Sequence, residues 1–271
     1  MILGIDAGTS AVKLAVLDGD TICATYYQPN RIDTAHTLRL ALERSGILSL
    51  PISHVALTGL NSTRCGAESM KLPQCTVSEL DAIGCGGCFL SGKDNALVVN
   101  MGTGTTFVLA QNGNYTHLGG TGIGGGTLMG LGRGLLGVNT PDELFQLANH
   151  GDVGQVDLRI GDLFAGSETL DPTLTSSNLA KASPHSTQAD WAAGLLNLVL
   201  ECTGTMAMLA CGAHQVSDVV LLGALTQLPQ AKARFQVFTQ FYRPNYLIAP
   251  QADCATAIGT ALLAKENDTW I

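Results

Sequence analysis

One short pattern occurs twice in this chain. Residues 2–17 read ILGIDAGTSAVKLAVL, and residues 97–110 read LVVNMGTGTTFVLA. Each is an apolar run, a turn of small residues rich in Gly and Thr, and a second apolar run. The first turn is Asp6-Ala7-Gly8-Thr9-Ser10, and the second is Asn100-Met101-Gly102-Thr103-Gly104-Thr105. Apolar runs on either side of a tight turn predict strand–turn–strand units. Bare backbone and hydroxyls at both tips suit two jaws gripping one polyphosphate.

A chain of 271 residues fits one large domain or two modest ones. Its 46% hydrophobic content against 13% charged residues supplies ample core. The net charge of −8 argues against a broad nucleic-acid surface but leaves nucleotides open, because backbone amides can hold them. The eight cysteines are scattered, and no charged leader with an apolar stretch precedes the first strand. These features predict reduced thiols in a cytoplasmic protein. No apolar run is read as approaching the roughly 20 residues that span a bilayer, so no membrane partner is expected.

Along the chain, Ile2–Ile5, Val12–Leu17 and Thr21–Gln28 predict three consecutive strands. A helix over Thr34–Arg44, a strand over His54–Thr58 and a helix over 76–90 follow. Ala96–Asn100, Thr105–Gln111 and Tyr115–Leu118 repeat the three-strand opening. Helices are predicted near 126–137 and over Pro141–His150, then a loop-rich insert over 152–186. Ala189–Gly212 reads as a long, deeply buried helix. Val219–Leu222, Ala231–Phe241, Tyr246–Ala249 and Ala252–Ala264 finish in strand–helix alternation. A meander followed by alternation indicates a mixed α/β sheet with helices on its faces. Two such halves imply a cleft, with the first half (1–94) ending near residue 94 and the second covering 95–271.

Several residues could carry chemistry. Asp6 ends a strand before a tight turn, where a carboxylate suits Mg²⁺ beside ATP phosphates. Gly8, Thr9 and Ser10 offer amides and hydroxyls to those phosphates, and Lys13 offers charge to a transferring phosphoryl group. Gly119–Thr127 holds G-x-G-x-x-G at Gly120, Gly122 and Gly125 but lacks the βαβ context of a dinucleotide fold. It reads instead as a nucleotide contact at a helix entry. Glu79 and Asp81 sit at a predicted helix start, where spacing alone favours simple caps. A kinase acting on an alcohol also needs a carboxylate, which makes Glu79 a candidate. Cys85-Gly86-Gly87-Cys88 lacks the partners of a zinc site and reads as two small buried thiols. His117 abuts the glycine loop, where it could meet a ligand or simply end a strand.

The two turns resemble phosphate loops one and two of the actin-like ATPase superfamily. Over nearly its whole length the chain resembles bacterial type II pantothenate kinases. The matching stretches include GIDAGTSAVK at 4–13, ALTGLN at 56–61, SELDAIGCGG at 78–87 and NMGTGTT at 100–106. They continue with GGTGIGGGTLMGLG at 119–132, ELFQLANHGDVGQVDLRIGDLF at 143–164 and LTSSNLAK at 174–181. The resemblance implies a duplicated ribonuclease-H-like fold, with two mixed-sheet halves around an ATP cleft. It implies phosphorylation of pantothenate with ATP and Mg²⁺, by a homodimer. It places Asp6, Gly8, Ser10 and Lys13 in the first phosphate loop and Gly102, Thr103 and Gly104 in the second. Gly122, Gly124, Gly125 and Gly126 fall in the loop that embraces the nucleotide, and Glu79 falls at the catalytic acid–base. His117 stands where the family has a substrate-holding arginine, and Thr9 where it has glycine. LTGLN replaces LTGGN, and Gly223-Ala224-Leu225 replaces Gly-Ser-Ser. The acceptor therefore stays open between pantothenate, a pantoyl or pantetheine compound and another small alcohol. An ATP-binding regulator without kinase chemistry is the alternative from another class.

Overall fold

The computed structural model describes residues 1–30, 33–164, 171–265 and 270. The first half is β1 (Ile2–Ala7), β2 (Ala11–Asp18), β3 (Thr21–Pro29), α1 (Thr34–Ser45), β4 (His54–Thr58), β5 (Gln74–Thr76) and α2 (Glu79–Ser91). The second opens with β6 (Asn95–Met101), β7 (Thr105–Gln111) and β8 (Asn114–Thr121). After these come α3 (Gly125–Leu131), a π turn over Gly132–Leu136 and α4 (Pro141–His150). The chain closes with β9 (Leu158–Arg159), α5 (Ile160–Leu163), β10 (Thr175–Ser177), α6 (Gln188–His214), β11 (Asp218–Leu222), α7 (Pro229–Phe241), β12 (Asn245–Ile248) and α8 (Ala255–Ala264).

The doubled motif becomes a doubled sheet. One sheet runs β3-β2-β1-β4-β5 and the other β8-β7-β6-β11-β12. In each, the central strand pairs antiparallel with the next strand in sequence and parallel with the fourth strand of its sheet. The duplicated α/β architecture expected from the sequence is therefore present. Within the two five-stranded sheets, β5 is the strand that pattern reading missed; at three residues after Pro73 it shows no periodicity to detect.

Both sheets are covered on two faces, so their central strands are mostly apolar, with Asp6 and Asn100 near their ends. Leu3, Ile5, Val12, Leu14 and Val16 pack with Leu38, Ala41 and Leu42 of α1. On the other face, Ala15 and Leu17 pack with Ala257, Ile258 and Ala261 of α8. Leu97, Val99 and Met101 pack with α6, while Ala96 and Val98 pack with Ile83 of α2. Thus α2, which follows the first sheet in sequence, packs on the second, and α8 does the reverse. The two helices meet with backbones in contact. A Cβ on Gly86 would lie 2.1 Å from the Ala255 carbonyl oxygen, and one on Gly259 would lie 2.0 Å from that of Ala82. The glycines inside the CxxC are thus packing residues: Gly86 admits α8, and a Cβ on Gly87 would meet Val98 at 2.6 Å. Burial and the neighbouring Cys85 and Asp94 push the Cys88 thiol up to about 11, so it stays protonated at neutral pH.

Two expectations need correction. Gln188–His214 is long and apolar enough to cross a bilayer by length and composition, contrary to the reading that no run approached that length. It packs inside the fold instead, with Ala192, Leu195, Leu196 and Val199 buried beside polar Asp190, Asn197 and Glu201. Its C-terminal part is buried on one face only, with Ala207 and Cys211 inside and Met206 and Leu209 39% and 64% exposed. The insert over 152–186 carries β9, α5 and β10, and its residues 165–170 lie outside the described residues. It is tied to α6 through fully buried Asp157, which accepts from the Leu179 N–H at 2.7 Å and from Asn197 Nδ2 at 2.8 Å.

Candidate functional site

The turn after β1 and the turn after β6 face each other. The Ser10 and Thr103 hydroxyls are 2.7 Å apart and form a hydrogen bond between the two halves. Asp6 is the residue before the end of β1, directly opposite Lys13 on β2. That register places Lys13 Nζ 2.7 Å from Asp6 Oδ2. Asp6 is buried, and its other oxygen, Oδ1, is a buried atom with no hydrogen bond among the described residues. A buried carboxylate oxygen without a donor is costly unless a cation or water meets it. Gly59 keeps that oxygen uncovered, because a Cβ there would come within 2.8 Å of it. No three His, Cys, Asp or Glu side chains gather into a metal cage among the described residues. One carboxylate oxygen is nevertheless what Mg²⁺ needs when phosphates and water supply its other ligands.

Glu79 opens α2, at the carboxyl end of the parallel strands β1, β4 and β5. Its neighbour Ser78 does the capping, accepting from the Asp81 N–H at 3.4 Å. Glu79 is half-buried and senses both members of the Asp6–Lys13 pair. Burial and the Asp6 charge raise its carboxyl above the usual range, against the opposing pull of Lys13. Lys13 moves upward as well. Burial alone would lower it, but the Asp6 charge and hydrogen bond, with Tyr27 and Glu79, outweigh that cost. Asp6 of β1, Lys13 of β2 and Glu79 at the start of α2 therefore form one electrostatic unit beside the two turns.

The glycine-rich run does something that its composition did not reveal. The N–H groups of Gly125 and Gly126 donate to the carbonyls of Gly102 and Thr103, at 2.9 and 2.8 Å. A Cβ on Gly124 would lie 2.7 Å from the Thr103 oxygen. The start of α3 thus presses on the second turn and ties its carbonyls back. Gly122 is exposed and has open space around it, and Gly104 lies against the Thr121 carbonyl. His117 is exposed on β8, the edge strand. Strand alternation gives it the face of Tyr115, which packs against Gly84 of α2.

Gly59 and Gly223 escaped the sequence reading as site residues. They follow β4 and β11, the corresponding strands of the two halves. Each has a positive φ, 92° and 95°, and each touches the end of its central strand. A Cβ would meet the Ala7 oxygen at 2.7 Å in one and the Met101 oxygen at 2.3 Å in the other. Their equivalence is visible only once the duplication is aligned.

Twin ribonuclease-H-like sheets with facing hydroxyl-bearing turns and a buried acid define an ATP-using protein of the actin-like ATPase fold. Solved structures agree on the fold. Component A of (R)-2-hydroxyglutaryl-CoA dehydratase from Acidaminococcus fermentans superposes with a TM-score of 0.67 at 21% identity, covering 97% of this chain and 96% of that one. A ROK family glucokinase from Streptomyces griseus, solved with glucose and AMPPNP, gives 0.62 at 13% identity over 98% and 99%. The type II pantothenate kinase of Oceanobacillus iheyensis is 32% identical over 234 residues, 82% of this chain and 83% of the relative. That of Bacillus anthracis is 24% identical over 98% of both chains. The Fumble family profile matches residues 95–247. The chain belongs to the Fumble family, together with the type II pantothenate kinases.

Proposed function

We propose that this protein transfers the γ-phosphoryl group of ATP to the primary hydroxyl of pantothenate, giving 4′-phosphopantothenate for coenzyme A synthesis. The observation that carries the reading is Glu79, whose carboxyl is held above the usual range by burial and the Asp6 charge, beside the Asp6–Lys13 pair at the mouth of the two turns. A carboxylate made more basic by its surroundings suits removal of an alcohol proton. In the reaction, the acceptor oxygen forms a bond to the γ-phosphorus, the bond to the ADP oxygen breaks, and the hydroxyl proton passes to Glu79. The amides and hydroxyls of Thr9, Ser10, Gly102, Thr103 and Gly104 steady the phosphates, Gly8, whose N–H donates to the Ala11 oxygen at 3.0 Å, closes the turn that presents them, and Lys13 neutralises charge on them. Gly122, Gly124, Gly125 and Gly126 shape the nucleotide side. Asp6 Oδ1 is the protein oxygen that would hold Mg²⁺, which when bound supplies charge neutralisation between the phosphates.

His117, in place of the family arginine, keeps another small alcohol as the second reading. An imidazole offers no bidentate grip on a carboxylate. An ATP-coupled assay over pantothenate, pantetheine, pantoate and simple sugars decides between them. Product formation with pantothenate is the expected result, and signal with sugars alone would reject the first reading. ATP consumption without any phosphorylated acceptor would favour a regulator.

The exposed apolar face of α6, with Cys202, Met206 and Leu209 at helical spacing, is consistent with a homodimer in the cytoplasm. A monomeric mass by sedimentation would reject the dimer.

Asp6→Asn tests the metal side. Turnover is expected to fall about a hundredfold or more through lost charge positioning. The same change leaves Lys13 buried beside a neutral amide, so urea stability should fall by about 3 kcal/mol. Lys13 titrates above an unfolded lysine, so its stabilisation is complete below the unfolded value. It is lost as pH rises through the higher folded value. The stability gap between wild type and Asp6→Asn should therefore close only at strongly alkaline pH.

A further inference from the structure

Four successive carbonyls of the first turn are taken up by two asparagines outside it. Asn61 donates its backbone N–H to the Ala7 oxygen at 3.0 Å and its Nδ2 to the Gly8 oxygen at 3.3 Å. Asn30 donates its Nδ2 to the Thr9 oxygen at 3.3 Å and its backbone N–H to the Ser10 oxygen at 2.8 Å. Both asparagines are themselves held. Asn30 Nδ2 also reaches Thr34 Oγ1 at 3.2 Å, and Asn30 Oδ1 accepts from Thr37 Oγ1 at 2.9 Å, which ties it to the first turn of α1. Asn61 follows Gly59, whose backbone is pressed against Ala7.

A trans peptide is planar, so its N–H points opposite to its C=O. Turning the carbonyls of Gly8, Thr9 and Ser10 toward the asparagines turns the N–H groups of Thr9, Ser10 and Ala11 away from them. The second turn has the same arrangement by different means, since Gly125 and Gly126 hold the carbonyls of Gly102 and Thr103. A carbonyl dipole facing a triphosphate repels it, whereas an N–H attracts it.

We infer that Asn30 and Asn61 are positioning residues for ATP: they hold the carbonyls of the first turn away from the β- and γ-phosphates and so present its amides. The inference rests on the reading of that turn as a phosphate site. Neither side chain is required to touch the nucleotide. The three substitutions below spare the two backbone donors and remove the Nδ2 bond to Thr9 or to Gly8; those at Asn30 also remove the bond to Thr34, and Asn30→Ala removes the one from Thr37 as well.

The test is the ratio of ATP affinity to AMP affinity, measured by calorimetry on the full chain, for wild type, Asn30→Ala, Asn30→Asp and Asn61→Ala. AMP lacks the β- and γ-phosphates, so it reports general damage to the cleft. Each variant should lower the ATP-to-AMP ratio by about five- to twentyfold, the scale of one lost hydrogen bond to an oriented polar group. Asn30→Asp should be at least as impaired as Asn30→Ala. It preserves shape and the bond from Thr37 but sets a carboxylate against the Thr9 carbonyl. If Asn30→Ala does not fold, the near-isosteric Asn30→Asp and Asn61→Ala carry the same measurement. An unchanged ratio overturns the inference, whether both affinities fall or neither does. A wild-type protein that binds ATP no better than AMP would overturn the phosphate reading of the turn, and this inference with it. Pantothenate turnover plays no part in the measurement, so the acceptor assignment stands or falls separately.

Discussion

Glu79→Gln is expected to bind ATP as wild type does and to lose turnover by about 10³-fold, the scale of one positioned general base. The same variant should be more stable than wild type. Burial and the Asp6 charge raise the Glu79 carboxyl, so the folded state prefers its protonated form. Its stabilising contribution is complete below the pKa of an unfolded glutamate and is lost as pH rises through the higher folded value. Above both values the ionised carboxylate therefore works against the fold, and a neutral amide removes that cost. A thermal shift upward with activity lost is the signature of a functional group held at the expense of stability. Activity needs the ionised form. In wild type, kcat/KM should fall on the acid side with an apparent pKa above the ordinary glutamate value, and Glu79→Gln should lack that limb. Wild-type turnover in Glu79→Gln would move the base elsewhere. A lowered melting temperature would mean that Glu79 serves the fold rather than the reaction.

What could be read in the sequence divides along a physical line. The turns at 6–10 and 100–105 were legible because each strand–turn–strand unit is local, with apolar runs directly on both sides. The duplicated fold followed from their repetition, and α2 from Ser78 and the acidic residues after it. Spacing showed Glu79 as a helix start, and only a kinase's need for a carboxylate and the family resemblance showed it as a base; the Asp6–Lys13 pair that it senses is brought near by the sheet register alone. Asn30 carried no signal of its own, and Asn61 stood only as the last residue of the ALTGLN stretch at 56–61. The carbonyls they hold lie 21 and 53 residues away in sequence, and asparagine after a strand ordinarily marks a turn. The glycine run at 119–126 advertised a nucleotide contact, yet its shortest contacts are with the second turn. Composition says that a backbone must come close to something without saying to what. The helix α6 was read at nearly its full length, as Ala189–Gly212, but not as an apolar run long enough to span a bilayer, because Glu201 and small residues interrupt it.

The seam between α2 and α8 is a place where a single methyl group should cost stability. Gly259→Ala puts a Cβ 2.0 Å from the Ala82 carbonyl oxygen, and Gly86→Ala puts one 2.1 Å from that of Ala255. In an open helix the same change is favourable, since alanine is the better helix former by about 1 kcal/mol. Here the obstacle is backbone on both sides, which cannot rotate away as a side chain would. The helices must move apart, and overpacking of this kind costs about 3 kcal/mol. For a chain of this size that lowers the melting temperature by about 6–12 °C. Gly212→Ala supplies the contrast, because Gly212 lies in α6 with nothing within 4 Å of its added Cβ. It should gain up to about 1 kcal/mol and raise the melting temperature by about 2–4 °C. Opposite signs for the same chemical change would locate the constraint in the seam rather than in helix propensity. The seam also sets the spacing of the two sheets, since α8 packs on the first and α2 on the second. Wedging it should open the 2.7 Å contact between Ser10 and Thr103 and weaken ATP binding in Gly259→Ala, with no such loss in Gly212→Ala. Equal melting temperatures for the two variants would mean that the helices re-space freely, and the cleft would then owe its width to the turns alone.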